Sequence, residues 1–537
     1  MVGSRRRLTV EARAFQVEMQ RSVLPDERES EMRPKGMIMQ KRAALPASFT
    51  TMFRPEDISA AAVTIVAMVA AFCTVYGIST HYHAGANAGI LSAVLVMTQS
   101  RRGAAGHDRS LPMELAVFLF VALGAAAVGW LLHHAFVVGA AVFIAVVSLS
   151  VWTRRFGEKI RRIGSLLALP LVAVLVVPAR SNAPGGVPVD ILLVCIAGAA
   201  AFGWLFVLTR HAIRIGLPMK ARKDAKHPVA EPQRTSQGMP ASTRMAIQMV
   251  IALTAAFAIG RLGFPQHWSW IVLTVYIVCV GATSRGDVLY KGLLRLGGAL
   301  GGTITAALVQ HLFVPHGTET AILIFAVLFV GICLRNINYA WWAASATLVI
   351  SLLQATGLRS SSGTLELRLE EILIGAVCAV VTAWFVLPIR TESVVRRRLS
   401  DALLAFDELA SCPTDTQPDE RAHKLRVLED RMARMAPVAE PVEWHRRLTR
   451  ATPGDDHPAV WVETLRHCFR HADSVAGRQE ELVRAIRISR KTLGQKDAST
   501  TAALQRLHRL LATDEKQFAD RERSMIEPKS PADAQPE

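Results

Sequence analysis

Cysteine pairs at metal or redox spacing are missing from this chain. Its seven cysteines contain no Cys-x-x-Cys, so no zinc ribbon or redox dithiol is encoded. Cys73, Cys195, Cys279, Cys333 and Cys378 fall in apolar segments and read as packing residues. Cys412 and Cys468 fall in a charged region expected to be cytoplasmic, where disulfides are rare. No glycine-rich loop leads into Lys-Ser/Thr, which removes a P-loop ATPase, and no serine nucleophile elbow occurs. His467 and His471 have the spacing of a helical ligand pair. No carboxylate joins them and Cys468 lies on another face, so they read as a surface helix. Neither a metal, a cofactor nor an enzyme is expected. The alternation of a membrane barrel is absent too. Arg5–Arg7 precede no apolar core close enough for a cleaved signal peptide.

What is present is hydrophobic, in long runs. Of 537 residues, 51% are hydrophobic. A bilayer core needs about 20 apolar residues per helix, with about 17–25 tolerated. Ser59–Ser79, Met113–Leu132, Ala135–Val151, Val189–Leu208 and Leu369–Leu387 meet that length, as do Met245–Leu262 and Leu293–Phe313. Within lipid each backbone amide must be paired inside its own element, so these runs predict helices.

The formal net charge is +17, which raises the question of nucleic acid. The placement of the cations answers it. They cluster in every second loop, around Arg101, Arg154–Arg155, the stretch Arg210–Arg244, Lys291–Arg295, Arg335 and Arg396–Arg398. The intervening loops hold little beyond Arg180, Arg261, Arg359 and Arg368. This is a positive-inside pattern. It predicts a multi-pass protein of the cell membrane with an even number of spans, both termini in the cytoplasm, and no nucleic-acid partner. The lipid bilayer is the partner that composition implies.

The apolar segments come twice. Six lie at about 58–79, 86–99, 112–132, 135–152, 163–178 and 188–209. Six more lie at about 244–262, 267–283, 292–313, 319–334, 339–354 and 369–388. The predicted fold is all-α, with about 12 transmembrane helices as two parallel six-helix repeats plus a C-terminal cytoplasmic helical domain. The expected domains are a cytoplasmic tail (1–54), the first repeat (55–209), a basic linker (210–243), the second repeat (244–389), a cytoplasmic helical domain (390–525) and a disordered tail (526–537). In the cytoplasmic part, helical periodicity covers 394–410, 419–435, 459–476, 480–493 and 502–518, with Pro437 and Pro441 read as punctuation.

The densest local pattern is in the second half. It reads Trp268-Ser-Trp270-Ile-Val-Leu-Thr274, then Lys291-Gly-Leu-Leu-Arg295-Leu-Gly297-Gly298-Ala-Leu-Gly301-Gly302, then Asn338-Tyr339-Ala-Trp341, then Arg368-Leu-Glu-Glu371-Ile-Leu-Ile-Gly375, closing at Pro388. At these residues the chain resembles the fusaric acid resistance and aromatic acid exporter family of bacterial integral membrane transporters. The resemblance covers about 244–388; the first half shares the topology, with Gly124 and Gly129 alone in the glycine region and Glu114 where an arginine would match. It implies efflux of aromatic carboxylates or similar organic anions, and a distant tie to plant malate channels.

The residues themselves support two readings each. Gly297/Gly301 and Gly298/Gly302 are small-xxx-small pairs suited to helix packing in lipid. Arg295 either snorkels to the cytoplasmic boundary or attracts an organic anion into the pathway. Glu371 and Glu114 are either solvated helix starts or proton-coupling carboxylates. The two short second segments point to the substrate pathway, because shortened segments at matching places in two halves mark transporter sites. Asn87 and Gln99 lie on the first; Trp270 and Thr274, four apart on one face, lie on the second. An aromatic plus a hydroxyl suits an aromatic acid, and an interfacial belt is the other reading of the tryptophans. Asn338 and Tyr339 either line the cytoplasmic mouth or cap a helix. The function expected is secondary export of an organic anion, an aromatic carboxylic acid or a related toxic compound, driven by the proton or charge gradient. A passive anion channel, and a scaffold acting through its cytoplasmic domain, are the alternatives. A homo-oligomer or a cytoplasmic partner through 390–525 would be the protein contacts.

Overall fold

The computed structural model describes residues 55–83, 87–100, 111–157, 160, 164, 168, 171, 175, 186–218, 239–265, 267–312, 318–335, 337–355, 365–412, 418–449, 457–470, 480–495 and 499–511. All regular structure among them is helical. In chain order the membrane part contains α1 (Pro55–His81), α2 (Asn87–Ser100), α3 (Leu111–His134), α4 (Phe136–Trp152), α5 (Gly186–Arg214), α6 (Ala241–Gly263), α7 (Trp268–Cys279), α8 (Arg285–Leu312), α9 (Thr318–Leu334), α10 (Tyr339–Ala355) and α11 (Leu365–Phe385). Then follow α12 (Thr391–Ala410), α13 (Pro418–Ala433), α14 (Ala436–Thr449), α15 (Pro458–Arg470) and α16 (Glu480–Leu493). The expected tails 1–54 and 526–537, most of the linker 210–243 and most of the fifth apolar segment 163–178 lie outside the described residues.

Five described helices are long and apolar enough to cross a bilayer: Pro55–His81, Phe136–Phe156, Val189–Arg214, Ala241–Gly263 and Arg285–Leu312. α1 opens as its sequence dictates, with Pro55 at the first position and Glu56 and Asp57 in the first turn, where the missing proline N–H is harmless and acids meet the positive helix end. Both second segments are short, as expected: α2 has 14 residues and α7 has 12. At 1.5 Å per residue α7 spans about 18 Å, against a hydrocarbon core of about 30 Å.

α7 ends earlier than the predicted 283. The chain turns at Val280–Ala282, with Gly281 at φ 74° and the Ala282 amide donating to the Cys279 carbonyl. A left-handed residue stops a helix, and glycine takes that conformation without strain. α14 is a second departure. Pro437 sits in its first turn, where a proline costs nothing, and the interior Pro441 is buried beside Val438, Ala439 and Val442. Packing there offsets the roughly 3 kcal/mol that an interior proline costs.

The membrane helices pack through small residues. Gly298 and Gly302 of α8 face α10. A Cβ on Gly298 would lie 2.5 Å from the Ala340 carbonyl and 2.6 Å from the Ala343 Cβ. Gly297 and Gly301 have nothing within 4 Å. The expected packing role is therefore corrected to one of the two faces, since residues one apart point about 100° away from each other on a helix.

The residues after α11 share one core, built from Leu399, Leu403, Phe406, Leu428, Trp461, Cys468, Ile486 and Leu507 among others. The junction into it is held by backbone bonds. Gln248 of α6 donates to the Val386 carbonyl at 2.8 Å, the Arg285 amide donates to Ile389 at 3.0 Å, and the Gly286 amide donates to the Thr391 hydroxyl at 3.1 Å.

Candidate functional site

α7 and α11 meet along one narrow stripe. Residues 368, 371 and 375 are spaced three and four apart, so they share a face of α11; on α7 residue 274 lies four from 270 and three from 271, next to both. At Gly375 the helices touch: a Cβ there would lie 2.8 Å from the Thr274 Cβ and 2.9 Å from the Ile271 carbonyl. Glycine is what permits that approach.

One turn above, the stripe is charged. The Arg368 guanidinium stacks on the Trp270 ring, with its carbon 3.9 Å from the ring centre. Arg368 Nη1 also lies 3.9 Å from Glu371 Oε2, and His267 Nδ1 lies 3.8 Å from Glu371 Oε1. Glu371 is 0% exposed, Arg368 6% and Trp270 6%. Such burial is expensive for a charge unless a partner of opposite sign is near. Among the described residues neither oxygen of Glu371 accepts a hydrogen bond. The pairing is thus electrostatic, at ion-pair distances longer than a hydrogen bond. Of the two readings of Glu371, the solvated helix start is overturned. The belt reading of Trp270 falls with it. Trp268 packs edge-on against Phe136 at 5.2 Å and tilted against Phe257 at 5.5 Å, as part of an aromatic cluster joining α4 and α6.

Thr274 is 1% exposed, and its hydroxyl has no hydrogen-bond partner among the described residues. Most buried hydroxyls are satisfied, so this donor is available. Arg295 on α8 is 4% exposed, and its Nε also lacks a partner among the described residues. Its level follows from register. Gly292 of α8 faces Ala376, Val380 and Val278, and α8 and α11 run antiparallel from the Gly286–Thr391 contact. One turn further on, Arg295 comes level with about residue 375. Two guanidiniums and one carboxylate are therefore buried within about two turns of one another.

The other expected site residues stand apart. Asn338 Oδ1 accepts from the Ala340 amide at 2.9 Å, which makes it the cap of α10. Tyr339 packs beside Ala61, Ile332 and Trp342, with its hydroxyl buried and without a hydrogen bond among the described residues. The side chains of Asn87, Gln99 and Glu114 lie outside the described residues. His267 is a member of the group that periodicity does not reveal; the one signal in the sequence is its place directly before α7.

The stripe falls inside the segment that known proteins share. Residues 250–382 match the family described as fusaric acid resistance protein-like. The chain is 29% identical over 186 residues to the p-hydroxybenzoic acid efflux pump subunit AaeB of Escherichia coli O9:H4 (strain HS), which covers 31% of this chain and 27% of that protein. The subunit of the same name from Enterobacter cloacae subsp. cloacae is 29% identical over 181 residues, covering 30% and 26%. That from Escherichia coli (strain K12) is 28% identical over 186 residues. The chain spans about a quarter of the length of the curated relatives it matches. Trp270, Thr274, Arg295, Arg368, Glu371 and Gly375 all fall within the segment, residues 250–382, in which this multi-pass membrane protein is similar to the fusaric acid resistance protein-like family.

Proposed function

We propose that this chain exports aromatic carboxylates across the cell membrane through twelve spans arranged as two parallel repeats, with both termini in the cytoplasm. The observation that carries the reading is the buried group of Trp270, Arg368 and Glu371. A tryptophan face binds an aromatic ring by stacking, and a guanidinium binds a carboxylate in a two-pronged fit. Arg295 adds a second buried cation, and among the described residues no second acid is paired with it, so a further negative charge would be favoured there. The substrate carboxylate supplies it. Thr274 offers the hydroxyl that orients the substrate.

The helix pairings support the repeat. α1 packs on α2 and α5, as α6 packs on α7 and α11. α5 packs on α2 and α3, as α11 packs on α7 and α8. Between the halves, α4 packs on α6 and α9 on α1, which are equivalent pairs exchanged between repeats. An inside-negative potential drives an anion outward by about 2.3 kcal/mol per charge per 100 mV. Protonation of Glu371 is the second source of drive in this reading, with Glu114 in the corresponding half.

The test is efflux of p-hydroxybenzoate from proteoliposomes under an imposed potential or an imposed pH gradient, each applied alone. Flux that saturates with substrate and responds to one gradient is expected. No substrate-dependent flux under either sinks the proposal. Single-channel currents without a gradient requirement identify a channel instead.

A further inference from the structure

A second charged site lies outside the membrane helices, between α12 and α16. Five cations line a cavity of about 480 Å³ there: Arg396, Arg397, Arg487, Arg490 and Lys491. Among the described residues no carboxylate belongs to its walls.

Two of the five have structural duties. Arg396 pairs with Glu392 at 2.9 Å, donates to the carbonyls of Leu493 at 3.2 Å and Gln495 at 3.3 Å, and covers Trp461 at 4.6 Å. It closes the end of α16 and fixes that end against α12. Arg487 bonds both oxygens of Asp407, at 3.2 and 3.3 Å. Arg397, Arg490 and Lys491 have no ion pair or hydrogen bond among the described residues.

Arg490 and Lys491 occupy the last turn of α16, where cations complement the negative helix end. That accounts for two cations on one helix. It does not account for Arg397, which arrives from another helix and adds a like charge to the same cavity. Like charges converge at a cost unless an anion joins them. The cavity falls within the usual range for small-molecule sites, roughly 300–1,000 Å³.

We propose that this pocket binds a phosphate-bearing anion, held by Arg397, Arg490 and Lys491. Guanidinium forks match phosphate oxygens, and lysine adds a point charge. The position suits a ligand at the bilayer surface: α12 begins at Thr391, shortly after α11 ends at Phe385. Arg397 lies about 9 Å along α12 at 1.5 Å per residue. A phospholipid headgroup and a soluble phosphate compound share this chemistry, and the experiment separates them.

The full chain is purified in neutral detergent and given two probes. Inorganic pyrophosphate is titrated by calorimetry. Retention of phosphatidylglycerol over phosphatidylcholine is read by native mass spectrometry. At least one probe is expected to bind, at least tenfold more weakly to the triple variant Arg397→Gln/Arg490→Gln/Lys491→Gln, with helix content unchanged by circular dichroism. Should the triple variant misfold, Arg397→Gln alone is expected to weaken binding several-fold, because its side chain is exposed and bonds no neighbour. Phosphatidylglycerol alone identifies a headgroup; pyrophosphate alone identifies a soluble ligand; mutual competition means that one site takes either. Binding of neither probe, equal binding by the variants, or binding of both without competition overturns the proposal. Efflux activity is not the readout, so this outcome is independent of the exporter reading.

Discussion

Arg368 holds two partners at the same distance: the Trp270 ring centre and Glu371 Oε2 both lie 3.9 Å from its guanidinium. A carboxylate lies on one side of the cation and a π face on the other. A substrate that brings its own ring and carboxylate can replace either partner without exposing the arginine to lipid. The tryptophan is then the element that recognises aromaticity. A desolvated cation–π contact is worth about 2 kcal/mol, which is more than tenfold in an equilibrium at about 1.4 kcal/mol per decade. Trp270→Ala is expected to lower p-hydroxybenzoate efflux at limiting substrate by at least tenfold, and Trp270→Phe by only a few-fold. Equal losses for both, in proteoliposomes holding equal protein, would remove stacking from the mechanism.

The ion pair itself predicts a stability pattern. Glu371→Gln removes the carboxylate that faces the buried Arg368, and breaking a buried pair from one side costs about 3–5 kcal/mol. The double variant Glu371→Gln/Arg368→Gln removes both charges and should recover much of that loss. Thermal melts of the four proteins in one detergent form the cycle. Additive losses in the double variant mean that the two residues do not act as a pair.

Much of this site could be read from the sequence, and the reason is periodicity. Trp270 and Thr274 are four apart, Arg368 and Glu371 three apart, and α-helical geometry alone puts each pair on one face. What periodicity omits is which way a face turns. Both Glu371 and Arg295 sit near the ends of apolar runs, where a charge normally reaches water, and both are buried because α8 and α11 continue beyond the apolar windows and pack there. The four glycines of α8 gave the same ambiguity: two registers fit the sequence, and only the neighbour α10 selects Gly298 and Gly302. α14 was hidden for the opposite reason, since Pro437 and Pro441 signal a break that buried contacts override. His267, contributed by a loop, has no period to betray it.

The glycine register is directly testable. Gly298→Leu places carbon against the Ala340 carbonyl and the Ala343 side chain, at 2.5 and 2.6 Å for the first atom. Overpacking of a tight contact costs typically about 1–3 kcal/mol, and here the obstacle is partly backbone. Gly297→Leu meets nothing within 4 Å and also relieves the cost of a glycine inside a helix, about 1 kcal/mol. Gly298→Leu should lower the melting temperature, and Gly297→Leu should leave it unchanged or raise it. The reverse order means that α8 presents its other face to α10.

Cys468 provides a pH test in the core of the C-terminal helices. It is 0% exposed, and burial, partly offset by a backbone hydrogen bond, pushes its thiol up to about 12. An unfolded cysteine releases its proton near 8.5. Between these values the folded chain holds a proton that the unfolded chain has lost, so stability falls as pH rises from about 8.5 towards 12 and is untouched below. Cys468→Ala should remove that slope. At pH 8 the folded protein should leave Cys468 unmodified by a maleimide that labels it in urea, as read by peptide mass spectrometry. Rapid labelling without denaturant contradicts the burial.

Arg295 separates stability from transport. Its Nε is buried without a hydrogen-bond partner among the described residues, and a buried polar atom left unbonded is a net cost to the fold. A residue kept at such cost inside a membrane is a functional candidate. Arg295→Met keeps the length and apolar stem and discards the charge. It is expected to match or exceed the parent in thermal stability while raising the substrate concentration needed for half-maximal efflux at least tenfold. Arg295→Lys should keep part of the affinity, because it retains the charge without the planar fork. An arginine that serves only packing gives the opposite pair of results: a lower melting temperature in Arg295→Met, and an unchanged half-saturation concentration in whatever protein survives purification.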